Sequence, residues 1–148
     1  MDKHACPPLK NPFIWPIRVY YEDTDAGGVV YHATYLHYLE RARTEWLRHL
    51  GFEQDQLREH ANIIFAVRHA SLDYRAAARF NEQLRVVTQL SQLGHASLQL
   101  IQQVQRADES ATTLCTGHIK IACVSYSALR PTALPRTIRD VLHRCLDV

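Results

Sequence analysis

From His32 to Leu50 the apolar residues Tyr35, Leu36, Leu39, Ala42, Trp46, Leu47 and Leu50 recur every three or four positions, which sets one broad stripe along a helix. A stripe that wide, with a tryptophan in it, needs a large apolar surface to lie against, such as the concave side of a sheet. Gly51 is placed to stop the helix, because glycine takes the left-handed conformation at little cost. On the opposite face Arg41, Glu45 and His49 follow one another at four-residue spacing and read as a solvated face.

The rest of the chain supplies the sheet. In Thr112 to Val124 the residues Cys115, Ile119, Ile121 and Cys123 alternate with Thr116, His118 and Lys120, the period of a half-buried strand. Weaker alternation marks Ile63 to Tyr74, Gln83 to Leu93 and Ala96 to Arg106, with turns at Gly94 and at Ala107 to Ser110. Pro16 to Tyr21 suits a first strand that begins at a proline. Pro135 followed by Ile138, Val141, Leu142 and Cys145 predicts a short closing helix. One strand, one long helix and four further strands predict an α+β domain, in which one mainly antiparallel five-stranded sheet wraps the helix. Element order alone also fits other α+β arrangements.

A chain of 148 residues and 17.0 kDa has the size of one domain, expected over 13–148 behind a flexible lead-in at 1–12. A formal net charge of +2 gives no basic field for nucleic acid. No apolar run approaches the ~18–20 residues that cross a bilayer, and the start MDKHACPPLKNPFIWP lacks the apolar core of a signal peptide, so a cytoplasmic location is expected. Cys6, Cys115, Cys123 and Cys145 form no CxxC pair and read as free thiols, with Cys115 and Cys123 in the core.

Chemistry concentrates between the first strand and the long helix, in Tyr20-Tyr21-Glu22-Asp23-Thr24-Asp25-Ala26-Gly27-Gly28-Val29-Val30-Tyr31-His32. Three carboxylates crowd into four positions, two glycines let the backbone turn sharply, and the helix is expected to begin near His32 or Ala33. A helix start presents unpaired N–H groups and a partial positive charge, suited to a developing oxyanion. A carboxylate just before it, acting as base or nucleophile, completes what hydrolysis of an activated ester requires. An Asp before Gly-Gly also serves as an ordinary turn or helix cap.

The run VYYEDTDAGGVVYHATYLHYLERARTEWLRHLGF, together with FAVRHASLDYRAAARF and the late ALRPTALP, resembles the YbgC, or Tol-Pal system-associated, acyl-CoA thioesterases, relatives of hydroxybenzoyl-CoA thioesterase. The resemblance covers roughly Trp15 to Pro135. It implies a hotdog fold, in which a long central helix is wrapped by one sheet, and cleavage of acyl-CoA to a carboxylate and coenzyme A without metal or other cofactor. It assigns the catalytic carboxylate to Asp25, the second Asp of the DTD run, and the carbonyl-polarising backbone N–H to His32. Asp23 shares the turn and the charge but not the assigned position. One sheet around one helix leaves an edge strand and apolar surface to cover, so a homodimer is expected, paired again into a homotetramer; the resemblance adds that active sites lie between two subunits.

The basic loop that holds CoA phosphates in related enzymes is not matched near Leu93-Gly94-His95, where only His95 is available. Arg68, Arg75, Arg79 and Lys120 are candidates by charge alone and read as surface charges. Nine histidines carry no HExxH or comparable ligand spacing, and no serine sits in a G-x-S-x-G elbow. The His-Phe-Pro-Gly pattern of hotdog dehydratases is absent. A rival of another class is a non-catalytic module that binds acyl-CoA or acyl carrier protein in envelope lipid metabolism.

Overall fold

The computed structural model describes residues 11–146. Strand β1 (Phe13–Arg18) leads through an irregular segment to helix α1 (Thr34–His49), helix α2 (Gln54–Ala61) and strands β2 (Ile63–Tyr74), β3 (Gln83–Leu93), β4 (Ser97–Arg106) and β5 (Thr113–Ser125); helix α3 (Arg136–Leu146) closes the chain. The strands form one sheet in the order β1-β3-β4-β5-β2, and every neighbouring pair is antiparallel. This is the α+β hotdog arrangement that the resemblance implies.

The stripe on α1 decides the packing. Tyr35, Tyr38, Leu39, Ala42, Trp46 and Leu47 are buried, and the sheet meets them with alternate residues: Leu84, Val86 and Leu90 of β3, Leu98, Leu100 and Val104 of β4, and Cys115, Ile119, Ile121 and Cys123 of β5. Period two on the strands and period 3.6 on the helix thus bring their apolar faces together, each buried aliphatic side chain contributing about 1.5–3 kcal/mol. Gln102 occupies one of these inward positions on β4. Its amide donates to the Leu39 carbonyl at 3.0 Å and to Thr88 Oγ1 at 2.9 Å, and its oxygen accepts from Arg43 Nη1 at 3.0 Å, so the buried group is satisfied.

Several elements differ from the sequence reading. Leu36, placed in the stripe, stays 43% exposed, while Tyr38, left out of it, is wholly buried. Strand β1 begins at Phe13 and runs through Pro16, because it lies at the sheet edge with β3 as its one partner and needs no donor on its outer side. Helix α2 was not expected at all. It has eight residues, none of them buried, and ends on Asn62 in the left-handed conformation at φ 55°. With Leu57 as its one aliphatic anchor, no periodicity announces it. On the face read as solvated, Arg41 and His49 are exposed and Glu45 is half-buried, its carboxylate paired with Arg48, which also holds Glu53. Residues 1–10 of the expected lead-in, with Cys6, lie outside the described residues.

Candidate active site

Past β1 the chain makes a short 3-10 turn at Tyr21–Asp23 and then doubles back on itself, with Thr24 bridged to Val30. The Asp25 N–H donates to the Val29 carbonyl and the Gly28 N–H to the Asp25 carbonyl, both at 3.0 Å. Gly28 stands at φ +77°, a conformation that leaves glycine unstrained. Asp25 therefore sits exposed at a tight turn, where its Oδ1 accepts a hydrogen bond from the Gly27 N–H at 2.8 Å. The turn is stitched to a second segment: the Val30 N–H donates to the Ala78 carbonyl at 2.8 Å, and Val29 bridges Arg79.

Two residues away, Asp23 has a different environment. It is 5% exposed, and its Oδ2 accepts from the Tyr20 N–H at 2.8 Å and from Tyr38 Oη at 2.9 Å. Burial and then the Asp23 carboxylate push the Tyr38 phenol far above its usual range, so it remains a donor. The Asp23 carbonyl accepts the Tyr31 N–H at 2.9 Å, which pins the chain on its way into α1. Asp23 thus ties the turn to α1, a structural part that the exposed Asp25 does not share.

The helix starts later than expected, at Thr34, because a turn closed by the Thr34 N–H on the Tyr31 carbonyl at 2.9 Å precedes it. His32 lies in this turn, exposed, with its ring 4.5 Å from that of Tyr31 and edge-on to Tyr74 at 6.5 Å. No side chain caps α1. Among the described residues, the N–H groups of His32 and Ala33 make no hydrogen bond. His32 opens on a cleft of about 320 Å³ that Val30, Tyr35, Tyr74, Arg75, Ala76 and Ala77 also line. Tyr35 Oη accepts the Ala78 N–H at 3.1 Å, and Tyr74 Oη donates to the His32 carbonyl at 2.8 Å.

The two assigned residues thus belong to one segment, Asp25 at its turn and His32 at its entry to α1, with no hydrogen bond between their side chains. Of the charge-selected residues, Arg75 lines the cleft and Arg79 is tied to the Asp25 turn, whereas Arg68 and Lys120 lie in mid-strand on β2 and β5. The His95 carbonyl is occupied by Leu134 and Arg139. Cys115 and Cys123 are wholly buried, and burial pushes the Cys115 thiol up to about 12, which removes it as a nucleophile near neutrality. Cys115, Cys123 and Cys145 are free thiols, and no group of metal-binding side chains exists among the described residues. The sequence reading missed Tyr74, whose one signal was its position at the end of an alternating run.

With this arrangement in view, comparison with known proteins defines the class. Residues 19–142 match the Thioesterase-like superfamily, and the chain belongs to it. It falls within the branch of the YbgC acyl-CoA thioesterases: it is 43% identical over 135 residues to "Acyl-CoA thioesterase YbgC" of Haemophilus influenzae, covering 91% of this chain and 97% of that protein. A probable thioesterase from Bartonella henselae is 32% identical with a TM-score of 0.78, over 84% of this chain and 99% of that one. A 1,4-dihydroxy-2-naphthoyl-CoA thioesterase from Synechocystis, 24% identical, shares the fold at a TM-score of 0.83 over 93% of this chain and 98% of its own. No helix among the described residues is long and apolar enough to cross a membrane.

Proposed function

We propose that this chain hydrolyses acyl-CoA thioesters to a free carboxylic acid and coenzyme A, with Asp25 as the acting carboxylate and the N–H groups at the entry to α1 as the oxyanion site. One observation carries the reading: the helix start is left without a cap beside a cleft, on the same segment that exposes Asp25. Unmet donors at a helix N-terminus complement the negative charge that builds on a thioester oxygen during attack.

Asp25 acts by one of two balanced routes. In the first, a carboxylate oxygen bonds to the thioester carbon, the C–S bond breaks to release CoA thiolate, and water cleaves the resulting anhydride. In the second, the carboxylate takes a proton from a water whose oxygen attacks the same carbon. A single turnover in oxygen-18 water tests the first route: water attacking the Asp25 carboxyl carbon of the anhydride leaves label in Asp25 and an unlabelled first-turnover acid, an outcome that the second route, which puts the label in the acid, does not give. Release of free thiol from a panel of aliphatic and aromatic acyl-CoAs tests the reaction itself. Steady release over many turnovers is expected; binding without release would instead identify a module that holds acyl-CoA or acyl carrier protein.

A homodimer fits the surface. Strand β2 is a 12-residue sheet edge, and on it Val67 and Tyr74 are 52% and 45% exposed. A free edge flanked by apolar side chains favours pairing with a second copy. Sedimentation at low micromolar concentration checks this, and a fully active monomer would refute it. Free thiols and the CoA substrate fit a cytoplasmic setting.

A further inference from the structure

We infer that Tyr74 is a positioning residue for the reaction: its hydroxyl fixes the direction in which the α1 entry presents its backbone donors. This rests on the oxyanion reading above and adds a residue that takes no part in the chemistry itself.

In a trans peptide the C=O and the following N–H lie in one plane and point in opposite directions, so holding the oxygen aims the N–H. Two such planes meet at His32. The Tyr31 carbonyl, in the plane that carries the His32 N–H, is held by the Thr34 N–H at 2.9 Å. The His32 carbonyl, in the plane that carries the Ala33 N–H, is held by Tyr74 Oη at 2.8 Å. With both oxygens held, φ and ψ of His32 are set, and neither N–H can swing. The first restraint is local to the turn. The second comes from the far end of β2, 42 residues away, and is the one that tertiary structure supplies.

Tyr74 is itself well anchored. Its strand position pairs with Cys115, the next residue donates its N–H to the Leu114 carbonyl at 2.8 Å, and its ring stands edge-on to Tyr35 at 5.5 Å. Burial raises its phenol above the usual value, which keeps the hydroxyl protonated as a donor. Yet Tyr74 is 45% exposed and His32 is exposed, so removing the hydroxyl strands no buried group. A residue that served stability alone would be placed otherwise, as Tyr35 is, with its oxygen inside on the Ala78 N–H.

The test uses Tyr74→Phe, which keeps the ring contacts. Turnover should fall about tenfold with KM nearly unchanged, a fraction of the ~10²–10³ that follows loss of an oxyanion donor. The decisive reading is spectroscopic. An acyl-CoA carrying carbon-13 at the thioester carbonyl is bound to Asp25→Asn protein, and its carbonyl stretch is compared with that of the same compound free in water. A shift to lower frequency is expected, and in the Asp25→Asn, Tyr74→Phe double variant that shift should shrink by half or more. A full shift retained in the double variant overturns the role of Tyr74 while leaving the oxyanion site standing. No shift in Asp25→Asn itself overturns the oxyanion reading and the present proposal with it. A loss of turnover in Tyr74→Phe accompanied by a comparable loss of folded protein, read by circular dichroism, with the shift intact, assigns Tyr74 to stability and also overturns it.

Discussion

The two ends of α1 are finished in opposite ways. At the C-terminal end Gly51, at φ +100°, lets its own N–H reach the Arg48 carbonyl at 3.0 Å and the Phe52 N–H reach the Leu47 carbonyl at 2.9 Å, the double hydrogen bond of a Schellman cap. Arg48 then bridges Glu45 and Glu53 over that end. At the N-terminal end there is no side-chain cap, and the residue at the cap position is Ala33. An absent cap forgoes about 1 kcal/mol. The chain closes one end and leaves open the end that borders a cleft, on the segment that also exposes Asp25. Unsatisfied donors at one end of an otherwise well-finished helix are a sign of function.

Substitutions at the open end should act on turnover, and those elsewhere on stability or on nothing. The largest effect belongs to Asp25→Asn. Asparagine keeps the oxygen that accepts the Gly27 N–H, so the turn survives, but it is neither a useful nucleophile nor a base. Turnover should fall by roughly two to four orders of magnitude with the melting temperature almost unmoved. An Asn variant with most of its turnover would end the assignment.

Asp23→Ala should do the reverse. It strips the acceptor from the Tyr20 N–H and the buried Tyr38 hydroxyl, and urea unfolding should show a loss of about 2–3 kcal/mol. At temperatures where the variant stays folded, its turnover should suffer far less than that of Asp25→Asn. If Asp23→Ala alone abolished turnover in folded protein, the roles of the two carboxylates would be exchanged.

Ala33→Asp closes the open end artificially. A carboxylate there favours the helix dipole and competes with the oxyanion for the same donors, so the melting temperature should hold while turnover drops about tenfold. Unchanged turnover in that variant would mean that the reaction does not use the helix entry. The smallest effect is Arg48→Ala at the closed end. Its ion pairs with Glu45 and Glu53 lie at the surface, where such pairs contribute little, and neither turnover nor melting temperature should change measurably.

Much of this was legible in the residues. The stripe on α1 and the alternation of Thr112 to Val124 were strong local patterns, and the strands Ile63–Tyr74 and Gln83–Leu93 were read with their actual bounds. Patterns of that kind survive because burial of one face is what stabilises the element. Helix α2 escaped because it buries no residue, and the placement of Leu36 and Tyr38 was reversed because hydrophobicity ranks leucine above tyrosine. What puts Tyr38 inside is an acceptor for its hydroxyl, and that acceptor, Asp23, belongs to another element.

By itself, then, the sequence determined the elements, the class of fold and the segment that carries the carboxylates, since each is encoded by neighbours a few positions apart. Only the tertiary structure decided which aspartate is buried and which exposed, that Gln102 lies beneath α1 with its amide on Leu39 and Thr88, and that Tyr74 reaches back to His32. These outcomes depend on hydrogen bonds between groups far apart in the chain, formed after the apolar faces have brought them together, and no local spacing announces them.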